Sequence, residues 1–143
     1  MTLDAAAQKS TFLREMIGRG HVYQITDEKG LDEYAAGGVA CGYIGFDATA
    51  KSLHVGSLVQ IMNLRRLQQA GGKPIVLMGG GTTKIGDPTD KEKSRPILTT
   101  EEIASNMAGI RKNFEPFLTF GTGPTDAIMI DNAEWLDQIK WIE

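Results

Sequence analysis

The chain has 143 residues, 41% hydrophobic and 23% charged, with a formal net charge of −3 and a pI near 5.4. That length allows one domain burying roughly two thirds of the surface its unfolded form exposes, and the slight acidity excludes a dominant basic face that would draw the whole chain onto nucleic acid. A single cysteine, Cys41, excludes an internal disulfide, and no apolar run approaches the roughly 20 residues that cross a bilayer.

The N-terminus carries Asp4 and lacks the basic-then-apolar lead of a secretory signal, so a cytoplasmic protein is expected. Residues 2–18 carry a loose apolar stripe (Leu3, Ala6, Ala7, Phe12, Leu13, Met16, Ile17) before Gly18-Arg19-Gly20, which predicts one helix docked on the core. His21, beside that glycine loop, is assigned no function. A second helix is expected over Asp27–Tyr34, with Thr26 as its cap and Gly37-Gly38 as its stop. The short apolar run Val39–Phe46, bounded by turn residues, reads as a buried strand in which Cys41 is an inert, buried thiol.

Helical spacing then runs from Val55 to Ala70 through Leu58, Ile61, Met62, Leu64 and Leu67, ending at Gly71-Gly72. Pro74–Met78 reads as a second buried strand. It runs into Gly79-Gly80-Gly81 and a loop over residues 79–98, long enough to be functional and expected to cover the site. Thr99-Thr100-Glu101-Glu102 offers a capping box for a helix through Ile103, Met107, Ile110 and Phe114 that Pro116 ends or kinks. Ala127–Ile130 is the third apolar strand, and from Trp135 a helical pattern reaches Glu143 without a C-cap signal, as if cut. Strands alternating with helices predict a parallel sheet with right-handed crossovers.

The most informative stretch is Tyr43–Leu58, where a β-rich run breaks at glycine and reopens as a helix at His54-Val55-Gly56-Ser57. Unpaired backbone N–H groups and the positive end of a helix dipole meet at such a junction, and Gly45 and Gly56 lack side chains that would hold a nucleotide away. Glycine early in a helix costs about 1 kcal/mol relative to alanine, so close approach of an adenine ring is a reason to keep Gly56. Blander readings stand beside these. His54 can be a structural hydrogen-bonder, Asp87 a turn residue in Gly86-Asp87-Pro88, Tyr43 a half-buried strand aromatic, and Lys84, Lys91, Lys93 and Arg95 a solvated charge run diluted by Asp87, Asp90 and Glu92. Several motifs are excluded. Gly81–Gly86 has P-loop spacing but is followed by Asp87-Pro88, and Lys84 occupies the place of the third glycine of a dinucleotide fingerprint. Two distant histidines and one cysteine give no metal spacing, and no Gly-x-Ser-x-Gly elbow is present.

His54-Val55-Gly56-Ser57 resembles the His-Ile-Gly-His signature of the class I aminoacyl-tRNA synthetases. Tyr43, Gly45, Phe46, Asp47, Thr49 and Ala50, and downstream Gly86-Asp87-Pro88, Lys91, Lys93, Ser94 and Arg95, resemble its bacterial tyrosine-specific branch, from about Tyr34 to the last residue. The resemblance implies an α/β, Rossmann-like (HUP-type) nucleotide-binding fold with a parallel sheet and N-terminal helices. Residues 1–36 would form a helical segment, and residues 37–143 the first half of the catalytic domain, truncated at its C-terminal side. Such a half-sheet would expose an unpaired edge and an apolar face.

The same resemblance implies activation of tyrosine by ATP to tyrosyl-adenylate and pyrophosphate, with Mg2+ carried by ATP rather than by protein ligands, and transfer of the tyrosyl group to tRNA. It implies a homodimer in the intact family, with tRNA contacts largely beyond Glu143 and no membrane. Adenylate formation is in-line attack of a carboxylate on the α-phosphate, so fixed donors must meet the developing charge. By resemblance Thr49 and His54 supply them, Lys91 and Arg95 help to hold pyrophosphate, and Gly45, Asp47 and Gly56 bind nucleotide. Asp87 receives the tyrosine ammonium group, Tyr43 hydrogen-bonds the phenolic hydroxyl and Leu77 forms pocket wall. Ser57 stands where the commonest pattern has a second histidine near the ribose, and its hydroxyl has shorter reach. Two alternatives are a non-catalytic nucleotide-binding or assembly fragment and the tryptophan-specific branch.

Overall fold

The computed structural model describes residues 3–85 and 98–139. Within them three strands, β1 (Cys41–Asp47), β2 (Lys73–Gly79) and β3 (Ile128–Asp131), form a parallel sheet in the order β1-β2-β3. The N-terminal helices are α1 (Thr11–Gly18) and α2 (Glu28–Ala36). Helix α3 (Ser57–Gln69) links β1 to β2, and α4 (Gly80–Ile85) with α5 (Thr100–Phe114) lies between β2 and β3, followed by a short α6 (Ala133–Leu136).

Two crossovers of one handedness that step the same way along a sheet must place their helices on the same face. They do so here, since Ile61 and Leu64 of α3 and Ile103, Ile110 and Phe114 of α5 share one buried cluster with Phe46, Val76 and Met78. Phe46 and Phe114 meet edge to face, their ring centroids 4.9 Å apart. The other face of the sheet carries half-buried Ile75, Leu77, Ile128 and Ile130 beside exposed Tyr43. The strands were expected to be buried on both faces, but β1 alternates, with Phe46 turned to the core and Cys41, Tyr43, Gly45 and Asp47 turned outward. Cys41 is consequently exposed, which corrects the expectation of a buried thiol.

The expected helix over residues 2–18 is divided. A single 3₁₀ turn, Ala5–Ala7, gives way to extended backbone at Gln8, and α1 starts afresh with Ser10 capping the N–H of Leu13. The cause lies on α2, where the buried Asp32 carboxylate accepts the N–H groups of Lys9 and Ser10 at 2.9 and 2.8 Å, bonds that a continuous helix would have directed elsewhere. Helix α2 is capped by Asp27, which accepts from the N–H of Gly30, one residue later than the expected Thr26. Gly71, at φ +85°, takes the left-handed position that ends α3. The capping box of Thr99 and Glu102 forms as expected, and α5 ends at Phe114 before Pro116. The helical pattern expected from Trp135 is realised only in α6 among the described residues.

The N–H groups of Lys9 and Ser10 hold the Asp32 carboxyl below the usual aspartate range. A depressed folded pKa contributes stability that is complete above the unfolded value, about 4, and is lost as pH falls through the folded one. Urea denaturation at pH 6 and at pH 3 is expected to show a larger acid-induced loss in the wild type than in Asp32→Asn; equal losses would remove this role from Asp32.

Candidate active site

At the end of β1 the chain passes Asp47 into fully buried Ala48 and loops to the start of α3. A cleft of about 550 Å3 opens at this junction, and Gly45, Asp47, Thr49, His54 and Ser57 line it with Phe46, Ala50, Ser52, Leu53 and Gln60. Five of the residues expected at a nucleotide site thus share one wall, although Asp47 and Ser57 are ten positions apart. Local structure explains this, because β1 delivers Gly45 and Asp47 on its outward face while α3 begins at Ser57 directly across the loop.

Helix α3 starts without a side-chain cap, since its N-cap is Gly56, and no acidic residue occupies its first turn. The positive end of a 13-residue helix therefore borders the cleft without a carboxylate of its own to offset it. His54, exposed at the rim, accepts the N–H of Gly56 on Nδ1 at 3.0 Å. An acceptor Nδ1 places the proton of the neutral ring on Nε2, which leaves Nε2–H as a donor. A Cβ at position 56 would come within 2.7 Å of His54 Cε1 and 2.9 Å of Nδ1, so the structure gives a nearer reason for this glycine than an adenine ring: it seats the imidazole. At Gly45 the opposite holds. Nothing lies within 4 Å of an added Cβ, so the bare strand backbone faces open space beside the cleft.

Tyr43 and Leu77, the expected tyrosine contacts, lie on the open face of the sheet. Gly45 pairs with Leu77 in register and Tyr43 stands two residues earlier on the same face, which puts all three side by side, with Tyr43 69% exposed. Tyr43 also borders a smaller apolar pocket, about 140 Å3, with Phe12, Leu31 and Tyr34 of the N-terminal helices. Gly86, Asp87, Pro88, Lys91, Lys93, Ser94 and Arg95 fall outside the described residues.

The loop expected over residues 79–98 begins instead with α4. Its glycines make room for neighbours: Gly80 and Gly81 donate their N–H groups to Asp131 Oδ1 and Asn132 Oδ1 at 2.9 and 2.8 Å, and a Cβ on Gly80 would lie 2.3 Å from the Asp131 carboxylate. Lys84, expected in a basic cluster, is ion-paired with Asp137. Among the described residues no group of three or more His, Cys, Asp or Glu side chains could hold a metal ion, and no helix is long and apolar enough to cross a membrane. Sequence reasoning missed Thr83, Asn106 and Asn113, which hydrogen-bond the backbone of the loop after β1. Only their poor helix propensity inside helical segments marks them.

Residues 39–143 match the family described as tRNA synthetases class I (W and Y). The chain belongs to this family. Among curated synthetases, the tyrosine–tRNA ligase of Caulobacter sp. (strain K31) is 62% identical over 139 residues, which is 97% of this chain and 33% of that protein. The tyrosine–tRNA ligase of Novosphingobium aromaticivorans is 62% identical over 133 residues, covering 93% of this chain and 32% of its own length. The chain thus spans about a third of the length of the curated relatives it matches. A C-terminally truncated mitochondrial tyrosyl-tRNA synthetase from Coccidioides posadasii superposes with a TM-score of 0.73 at 26% identity, covering 95% of this chain and 39% of that one. The corresponding Aspergillus nidulans structure gives 0.74 at 23% identity over 94% and 40%, a likeness of fold. The sheet and helices are those of the Rossmann-like class I synthetase fold.

If Gly56 seats the ring, nitrogen NMR should find neutral His54 predominantly as the Nε2–H tautomer in the wild type and as a mixture of both tautomers in Gly56→Ala. An unchanged tautomer in the variant would separate the glycine from the histidine.

Proposed function

We propose that this chain supplies the ATP site and part of the tyrosine pocket of a tyrosine–tRNA ligase. The observation that carries this is the gathering of Gly45, Asp47, Thr49, His54 and Ser57 around one cleft at the uncapped start of α3. The names borne by relatives 62% identical to it support tyrosine as the amino acid.

In this scheme Mg2+-bound ATP lies with its phosphates at the junction. The tyrosine carboxylate oxygen attacks the α-phosphorus in line, a P–O bond forms, the bond to the β-phosphate bridging oxygen breaks, and pyrophosphate leaves with the electron pair. His54 Nε2–H and the Thr49 hydroxyl donate to the phosphoryl oxygens as charge builds on them, and the dipole of α3 acts in the same sense. Gly45 allows close approach of the nucleotide and Gly56 keeps His54 seated beside it, Asp47 and Ser57 offer polar groups to the nucleoside, and Lys91 and Arg95 hold the departing pyrophosphate. Asp87 takes the ammonium group of tyrosine, Tyr43 its phenolic hydroxyl and Leu77 its ring. Transfer of the tyrosyl group to tRNA(Tyr), by a cytoplasmic homodimer, completes the reaction. Residues 1–36 act as a helical segment beside the catalytic domain that starts at residue 37.

Tyrosine-dependent exchange of labelled pyrophosphate into ATP tests the scheme. Removal of one preorganised donor from a developing anion costs about 10²–10³ in rate, and His54→Ala is expected to lose exchange on that scale while retaining tyrosine binding. Exchange undiminished in His54→Ala would contradict the scheme. ATP binding without any exchange in the wild type would favour a nucleotide-binding or assembly module, and exchange supported by tryptophan in place of tyrosine would favour the sister branch.

A further inference from the structure

The loop between β1 and α3 carries Thr49 and His54, yet Thr49, Ala50, Lys51, Ser52 and His54 are all exposed. Its backbone is held from a distant part of the sequence. On α5, buried Asn106 donates Nδ2–H to the carbonyl of Ala48 at 2.9 Å, and Asn113 Oδ1 accepts the N–H of Leu53 at 2.9 Å. Between them Gly109 lies against the loop itself, where an added Cβ would fall 2.2 Å from the Lys51 carbonyl oxygen and 3.1 Å from its carbon. From the other side Thr83 Oγ1 accepts the N–H of Ala48 at 3.2 Å.

Positions 106, 109 and 113 recur at intervals of three and four, so they form one row on the helix, distinct from the core row of Ile103, Ile110 and Phe114. Asparagine and glycine are poor helix formers, and α5 carries them in its interior. The core gives no reason for them, whereas the loop does.

We propose that Asn106, Gly109 and Asn113 are positioning residues that set where Thr49 and His54 stand relative to the phosphates. Their role toward ATP rests on the function proposed above; the anchoring of the loop does not. Because Asn113 acts through an acceptor and Asn106 through a donor, the two positions answer oppositely to aspartate, which keeps the acceptor and loses the donor.

The test combines amide hydrogen exchange with steady-state pyrophosphate exchange in the wild type, Asn106→Ala, Asn106→Asp, Asn113→Ala, Asn113→Asp and Gly109→Ala, with Ile110→Val as a core control. One lost hydrogen bond corresponds to roughly a tenfold effect. Asn113→Ala, Asn106→Ala and Asn106→Asp should speed amide exchange in the loop and raise the ATP KM by about that factor, with the tyrosine KM and the amides of β2 unchanged. Asn113→Asp should stay near wild type. Gly109→Ala should loosen the loop although alanine is the better helix former, and Ile110→Val should leave loop and ATP KM alone.

Equal tolerance of aspartate at both positions, or loop exchange rising no more than exchange in the sheet, would overturn the proposal. A wild type without ATP affinity would sink the function proposed above instead, and the amide exchange would still decide whether α5 holds the loop.

Discussion

The turn from β1 into α3 is the constraint that the rest of the molecule serves. A strand that ends with Asp47 and a helix that starts at Ser57 without a side-chain cap leave the positive helix end beside bare strand backbone at Gly45, with His54 fixed at the rim by the N–H of Gly56. Such a corner is polar, concave and open, with Gly45, Asp47, Thr49 and His54 all exposed. The fold therefore stabilises it from behind. Ala48 is fully buried and both its backbone polar groups are satisfied, by Thr83 and Asn106.

Handedness explains why one side of the sheet is available for chemistry. With α3 and α5 committed to the face of Phe46, Val76 and Met78, the opposite face keeps Tyr43, Gly45 and Leu77 together and open. Tyr43, Gly45 and Leu77 are neighbours because adjacent strands in register carry them, and side chains point the same way at every second position.

Much of this is legible in the sequence, and most of what is not depends on contacts distant along the chain. β1, α3, β2 and α5 follow from runs and periodicities within a dozen residues. The corner itself is marked by resemblance to a family signature rather than by a glycine break, since β1 runs on through Gly45 to Asp47 and α3 starts at Ser57 instead of His54. Three of the misreadings involve partners far away in sequence. Asp32 divides the N-terminal helix from 22 residues downstream of Ser10, Asp131 and Asn132 turn the glycines of α4 from loop into helix across 51 residues, and Asn106 and Asn113 reach the loop between β1 and α3 across 58 and 60. Cys41 was misplaced for a different reason: a short apolar run shows that a strand exists, but not that one of its faces is left uncovered.

The decisive measurement is a crystal structure with tyrosine and an ATP analogue whose α–β bridge cannot be cleaved. The α-phosphate is expected within hydrogen-bond distance of His54 Nε2 and the Thr49 hydroxyl, with the nucleoside alongside Gly45. A triphosphate bound away from the β1–α3 corner, with His54 and Thr49 facing solvent, would contradict it.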